Sequence, residues 1–453
     1  MCPAKVGEFR ELPGPQGQSI LEDWDRVMAK TLLPSLVVPK RAEGVELEDV
    51  DGNKYLQFNS GISVANFGYG SCLQPAVDAI SEVYKETGML MMNGAYYPNV
   101  HMLEAANKLL DVTPIRGGRG RFFGCTSGTI GIEVAMKAAA MARDHRNPVA
   151  HPEKQVFMHL AKSFHGRSHG ASSLMDQEQK GRFHGLSLPY KQCELAFPRQ
   201  GDEESCGQFY EDLDRSLKLY GPSFILGVFT EIVQGEGGIN VIDRGALTTL
   251  EEKCNAAGIP LIIDEVQTGF GRCGGDPWAY TLYGIEPDIV VFGKGAGYGV
   301  LPVCGMIVSD EFTFQEYGEN GGTFGADPVF GAVLNEAISE LHEQELAANS
   351  REMGDYFLQS LRRACRGMQY VGDIRGLGLL IGVEFCNPGT GAIDPVFSKN
   401  VWKACENFGL LTLPSGIAVN RFAPPLCVTR KHIDDAIVVF GKAYAEAVRN
   451  YMG

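Results

Sequence analysis

None of the twelve cysteines stands in a C-x-x-C pair, so the chain carries no local signature of a zinc site or a redox pair. Their scatter, from Cys2 to Cys427, fits reduced thiols in a cytosolic protein. No apolar run is long enough to cross a bilayer. The opening residues, Met1 to Glu8, hold no apolar signal core, and the expected location is the cytoplasm. Basic residues are in deficit: 40 Lys and Arg against 55 Asp and Glu, a net charge of −15. That argues against nucleic acid or an anionic membrane as a partner. Internal repeats and low-complexity tracts are absent too. No G-x-G-x-x-G follows the first strand of a βαβ unit with an acidic residue about twenty positions later. Gly295-Ala296-Gly297-Tyr298-Gly299 is a weak partial match, which leaves a non-catalytic or nucleotide-binding α/β protein as the third reading.

What is present is an ordinary globular composition, 44% hydrophobic and 21% charged, with an excess of glycine at 56 of 453 residues. Many tight turns and close backbone approaches follow from that excess. The first thirty residues read as a loose arm, and Val45–Val50 with Lys54–Phe58 as a hairpin. From about Pro75 to Phe330, strand-like runs (Gln155–Leu160, Phe224–Glu231, Leu261–Glu265, Asp288–Phe292) alternate with amphipathic helices (Thr129–Arg143, Leu247–Ala257). Such alternation predicts an α/β fold: a doubly wound, mostly parallel sheet covered on both faces. After Pro328 a long helical stretch, Val329–Leu346, leads to strand candidates Leu379–Phe385 and Val419–Phe422 and a closing helix from about Ile433 to Arg449. The expected division is an arm and hairpin over 1–60, a large domain over 61–330 and a smaller α+β domain over 331–453.

Two apolar runs deliver a lysine and an aspartate to strand ends. Ile289–Phe292 is followed by Gly293-Lys294-Gly295, and Pro260–Ile263 by Asp264-Glu265-Val266-Gln267. An amine that can form a Schiff base and a carboxylate that can hold a pyridinium nitrogen are the protein groups that pyridoxal 5′-phosphate (PLP) requires. Val266, two residues past Asp264, shares its face along an extended segment and is expected to press on the ring. Gln267 is in reach of the ring's phenolic oxygen. Thr126-Ser127-Gly128-Thr129 follows the strand Arg121–Phe123 and opens a helix, which suits a phosphate and equally an ordinary N-cap. Phe164-His165-Gly166-Arg167 offers a ring to stack and an arginine for a carboxylate. Glu231 ends a strand, and Arg421 precedes Phe422-Ala423-Pro424-Pro425. Taken alone, each of these last two reads as a solvated or structurally paired charge.

Together these motifs resemble the class III (subgroup II) aminotransferases, PLP enzymes of fold type I. The likeness runs from about Gly44 to Ile437 and is densest at Asp264-Glu265-Val266-Gln267-Thr268-Gly269-Phe270-Gly271-Arg272, Pro287-Asp288 and Lys294. The resemblance implies that Lys294 is the Schiff-base lysine, Asp264 the partner of the pyridine nitrogen and Gln267 the ligand of the phenolic oxygen. It makes Ser127, Gly128 and Thr129 the phosphate cup, with Phe164, His165, Glu231 and Val266 around the ring. Thr323 resembles the threonine that reaches the phosphate of a neighbouring subunit, which implies a homodimer with shared sites. The trio Arg167, Glu231 and Arg421 resembles the branch acting on 4-aminobutyrate, ornithine or N-acetylornithine. There the later arginine binds the α-carboxylate of glutamate or 2-oxoglutarate, and the glutamate neutralises it when an ω-amine is bound. The implied activity is ping-pong transfer of an amino group from an ω-amino acid to 2-oxoglutarate. The alternative in the same family is a racemase or epimerase, an aminomutase or a decarboxylase.

The sequence also departs from the family. Thr126 stands where asparagine is usual, Ile130-Gly131 where glutamate-alanine is usual, and Ile232 where proline is usual. Ile62, expected among the substrate-binding residues, is apolar where ornithine-specific relatives tend to carry tyrosine, which weakly disfavours free ornithine.

Overall fold

The run Ile289–Phe292 is buried throughout, and its side chains divide between two cores: Ile289 and Val291 in one, Val290 and Phe292 in the other. Successive strand residues point to opposite faces, so such a run belongs in mid-sheet with cover on both sides. Each of these apolar side chains contributes about 1.5–3 kcal/mol by leaving water. The computed structural model, which describes residues 3–30, 35–146, 154–175 and 191–452, has that sheet; Cys2 lies outside the described residues.

The chain first makes β1 (Pro39–Glu43), β2 (Glu46–Asp49) and β3 (Lys54–Gln57). β2 and β3 are the expected hairpin, with Glu46 opposite Leu56 and Glu48 opposite Lys54. The large sheet uses β4 (Arg121–Cys125), β5 (Val156–Leu160), β6 (Lys191–Leu195), β7 (Ile225–Glu231), β8 (Leu261–Asp264), β9 (Ile289–Phe292) and β10 (Cys304–Val308). Their order is β4-β10-β9-β8-β7-β5-β6, and β10 alone runs against the others. The helix Gly128–Arg146 packs on β7, β9 and β10, putting Ile132, Ala135 and Ala139 into the core that holds Ile289 and Val291.

A third sheet is built late in the chain from β11 (Val371–Leu377) and β12 (Leu380–Phe385). β13 (Leu410–Leu411), β14 (Leu413–Ser415) and β15 (Val419–Phe422) follow them. Its order is β11-β12-β15-β14, while β13 pairs in parallel with β3 and so joins the early hairpin to late residues. No described helix is long and apolar enough to cross a membrane.

Three local expectations are corrected. The supposed loose arm contains a helix, Pro15–Val27. Its start is held by Asp51, whose carboxylate accepts from Gln16 N at 2.9 Å and Gly17 N at 3.0 Å. A cap supplied from the hairpin turn leaves no local N-cap signal. The expected stretch Val329–Leu346 is helical through Glu343, in the helix Pro328–Glu343, but ends there: Glu345 turns left-handed at φ 50°, and Leu346 opens a second helix, Leu346–Ala364. And β11 was not anticipated: its apolar residues, Val371, Ile374 and Leu377, fall three apart instead of alternating.

Candidate active site

The carboxyl ends of parallel strands are where such sheets bind ligands. β7 ends at Glu231 and β8 at Asp264, and these two residues are direct partners in the ladder. β9 ends at Phe292; after Gly293 the chain turns left-handed at Lys294 (φ 48°) into the short 3-10 turn Lys294–Gly297. β4 ends at Cys125, and its helix opens at Gly128. The four strand ends surround a cavity of about 450 Å³, within the range of small-ligand sites. Its wall includes Ser127, Gly128, Thr129, Phe164, His165, Glu231, Asp264, Val266, Gln267 and Lys294. Every one of these was singled out from the sequence.

The electrostatics set up distinct groups. Burial draws water from Lys294 and lowers its ammonium pKa below the ordinary lysine range, although Glu236, Asp264 and Glu231 pull the other way. At the end of β8, Asp264 Oδ2 accepts from His165 Nδ1 at 2.8 Å, and its Oδ1 accepts from Val266 N at 3.0 Å. Burial works against a charged His165, but the hydrogen bond and charge of Asp264 outweigh it and raise the imidazole's pKa. The carboxylate is thus held in place from two sides. Glu231 is enclosed, and burial pushes its carboxyl up to about 7.

Close approach at the opposite end depends on glycine. A Cβ on Gly128 would meet both Val266 methyl carbons at 2.7 Å, and one on Gly166 would meet Thr129 Oγ1 at 2.3 Å. Ser127 and Thr129 hydroxyls therefore stand at a helix start that sits tight against the Val266 and Gly166 segments.

One pairing is corrected. Arg421, on β15, does not pair with Glu231. Its Nη1 donates to Glu236 Oε1 at 2.6 Å, to Gly235 O at 2.8 Å and to Gln267 Oε1 at 3.1 Å. Glu231 is turned away, accepting from Phe164 N at 3.1 Å and Gly235 N at 3.2 Å. Burial pushes the Glu236 pKa up, but the Arg421 guanidinium outweighs this and leaves it below the ordinary carboxyl range. Glu236 lines the cavity and was missed. The signal that could have found it is a charge inside the glycine turn Gly235-Glu236-Gly237-Gly238, between two short strands.

Other residues stand off the wall. Arg421 is buried behind Gln267 and Glu236 rather than lining the cavity. Arg167 is exposed, with its guanidinium 5.6 Å from the centre of the Phe164 ring. Ile62 lies in a left-handed turn over Ser60–Ser63 (φ 65° at Ile62), and Val64 rather than Ile62 lines the cavity. A β-branched residue is strained in that region. Thr323 is exposed and outside the cavity of its own chain.

A seven-stranded, mostly parallel sheet with one reversed strand, and a lysine and an aspartate at its strand ends, defines a fold type I PLP enzyme. The profile of the class-III aminotransferases (Aminotransferase class-III) matches residues 27–444. The acetylornithine aminotransferase of Methanosarcina acetivorans is 30% identical, covering 95% of this chain and 98% of its own. A transaminase from the marine bacterium Virgibacillus superposes with a TM-score of 0.86 at 24% identity, covering 96% of this chain and all of its own. An ornithine aminotransferase from Toxoplasma gondii, described as having partial occupancy of PLP at its active site, gives 0.82 at 25% identity over 96% of each chain. The chain belongs to the class-III aminotransferases and is an aminotransferase.

That family implies PLP, and the cavity's donor set fits it. Hydroxyls and backbone N–H groups at the Gly128 helix start suit a phosphate. The Asp264 carboxylate suits a protonated ring nitrogen, and the Lys294 amine suits an aldehyde.

Proposed function

We propose that the enzyme moves an amino group from an ω-amino acid, of the N-acetylornithine or 4-aminobutyrate kind, to 2-oxoglutarate. The observation that carries this reading is the Arg421–Glu236 pair beside the cavity that holds Lys294. Ser127, Gly128 and Thr129 would hold the phosphate of PLP, Asp264 its ring nitrogen and Gln267 its phenolic oxygen, with Phe164 and Val266 against the ring. When bound, the cofactor supplies an electron sink for the carbon that carries the amine. His165 keeps Asp264 oriented, and Glu231 fixes the Phe164 and Gly235 segments through their N–H groups. Lys294, with its pKa lowered, takes the proton from the substrate carbon as its free base and later returns one.

Arg421 then decides the substrate. Paired with Glu236 it is neutralised, and an apolar or amine-bearing chain can lie against it. When Glu236 swings away, the guanidinium is free to take the α-carboxylate of glutamate or 2-oxoglutarate. A buried cation is tolerated in both half-reactions only because a carboxylate meets it in each. Both substrates need the same Lys294 in the same cavity, so one product leaves before the second substrate enters, which gives ping-pong kinetics. Exposed Arg167 would meet a distal carboxylate, with Ile62 near the mouth. Thr323 would complete the phosphate site of a second copy in a homodimer. The division at 60/61 and 330/331 belongs to the same reading, supported by a large sheet confined to 121–308.

The test is spectroscopic. The PLP-loaded protein is given N-acetylornithine, 4-aminobutyrate or glutamate singly. The reading expects the aldehyde form of the cofactor to become its amine form, and 2-oxoglutarate to reverse the change. Retention of the aldehyde form, with exchange of the substrate's α-proton for deuterium, would replace transamination by racemisation.

A further inference from the structure

Behind the lysine turn lies a second cleft of about 560 Å³, outside the site described above. Cys72 and Cys427 both line it and both are partly exposed. Each sulfur lies 3.1 Å from the point that a Cβ on Gly68 would occupy, and Gly68 is left-handed at φ 103°. The glycine leaves the space beside both sulfurs open. The backbone beside Cys427 is pinned: Leu426 N donates to Asn66 O at 2.7 Å, and Asn349 Nδ2 donates to Val428 O at 3.1 Å. The same cleft is lined by Tyr298, whose buried hydroxyl has no partner among the described residues. Glu340 and Glu345 line it as well, while Glu352 is paired with Arg430.

We propose that Cys72 and Cys427 are a redox-active dithiol, closed to a disulfide by exchange with a low-molecular-weight disulfide that carries amines. The acidic lining favours a cationic oxidant. Attack starts at Cys72, because burial pushes the Cys427 thiol up to about 12. The Cys72 sulfur displaces half of the small disulfide, which leaves as a thiol. Cys427 then attacks the Cys72 sulfur of the mixed disulfide and releases the second half. Two protein thiols are oxidised, one small disulfide is reduced to two thiols, and the two protons pass to those thiols. The other adjacent pair, Cys125 and Cys304, faces across β4 and β10 but is buried, with its thiols pushed up to about 12 and about 11. It does not exchange.

The test uses the reduced, PLP-loaded protein, treated with cystamine or with glutathione disulfide and digested without reductant. The expected product is a peptide pair joining Cys72 to Cys427, formed about tenfold faster with the cationic cystamine than with the anionic glutathione disulfide. Cys427→Ser should stop with one cystamine half on Cys72. A digest with no joined pair, a Cys125–Cys304 link in its place, or equal or faster closure by glutathione disulfide would overturn the proposal. The wild-type digest decides this by itself, so a variant that misfolds does not blunt the test.

Discussion

Arg421 Nη1 and Glu236 Oε1 meet at 2.6 Å although 185 residues separate them in sequence. The guanidinium is almost wholly buried, and the carboxylate faces the cavity. Removing either partner strands the other. For a fully buried pair that costs about 3–5 kcal/mol, and less here because Glu236 is partly open to water.

Arg421→Ala tests the substrate side of this pair. KM for glutamate and 2-oxoglutarate should rise about 10- to 100-fold, the loss of a charge-assisted hydrogen bond, with a smaller change for an ω-amine donor. Steady-state kinetics on both half-reactions measures it. An equal loss for both donors would place Arg421 in general folding rather than recognition.

Lys294→Ala removes the group proposed to move the proton. Single-turnover conversion of the cofactor from aldehyde to amine form should slow by about 10³-fold or more. Added methylamine should recover part of the rate, whereas a merely structural loss would not be recovered.

Gly128→Ala should cost cofactor affinity about tenfold, because its Cβ lands 2.7 Å from both Val266 methyl carbons and forces the helix start outward. Adding Val266→Ala removes those methyls and should restore part of the loss. Fluorescence titration with PLP gives both constants, and additive losses would contradict the contact.

Glu406 lies far from the cavity in sequence, accepts from Ser35 Oγ at 3.1 Å and is pushed up to about 7 by burial. A carboxyl raised in the folded state binds its proton more tightly there than when unfolded. Stability from this group is therefore full below about 4.5 and is lost as pH rises towards about 7. Glu406→Gln should match the wild type near pH 4.5 and exceed it at pH 8 by up to ~3 kcal/mol, read from urea unfolding. A pH-independent difference would contradict this.

What was legible in the sequence was local. Lys294 and Asp264 follow uninterrupted apolar runs, and a run buried on both faces has only the middle of a sheet to occupy. The phosphate turn was legible because strand, small polar residues and helix succeed one another directly. The glutamate opposite Arg421 was not. Glu231 and Glu236 flank the same short segment, and only the position of β15 selects between them. The helix Pro15–Val27 was missed because its cap, Asp51, is contributed by another element.

The most direct measurement compares amine donors on wild type, Glu236→Gln and Glu231→Gln by stopped-flow absorbance. The account predicts that Glu236→Gln slows the half-reaction of an ω-amine donor about 10- to 100-fold while that of glutamate is kept or quickened. Glu231→Gln should leave the ratio of the two nearly unchanged. If Glu231→Gln shifts that ratio and Glu236→Gln does not, the substrate switch assigned to Arg421 and Glu236 is wrong.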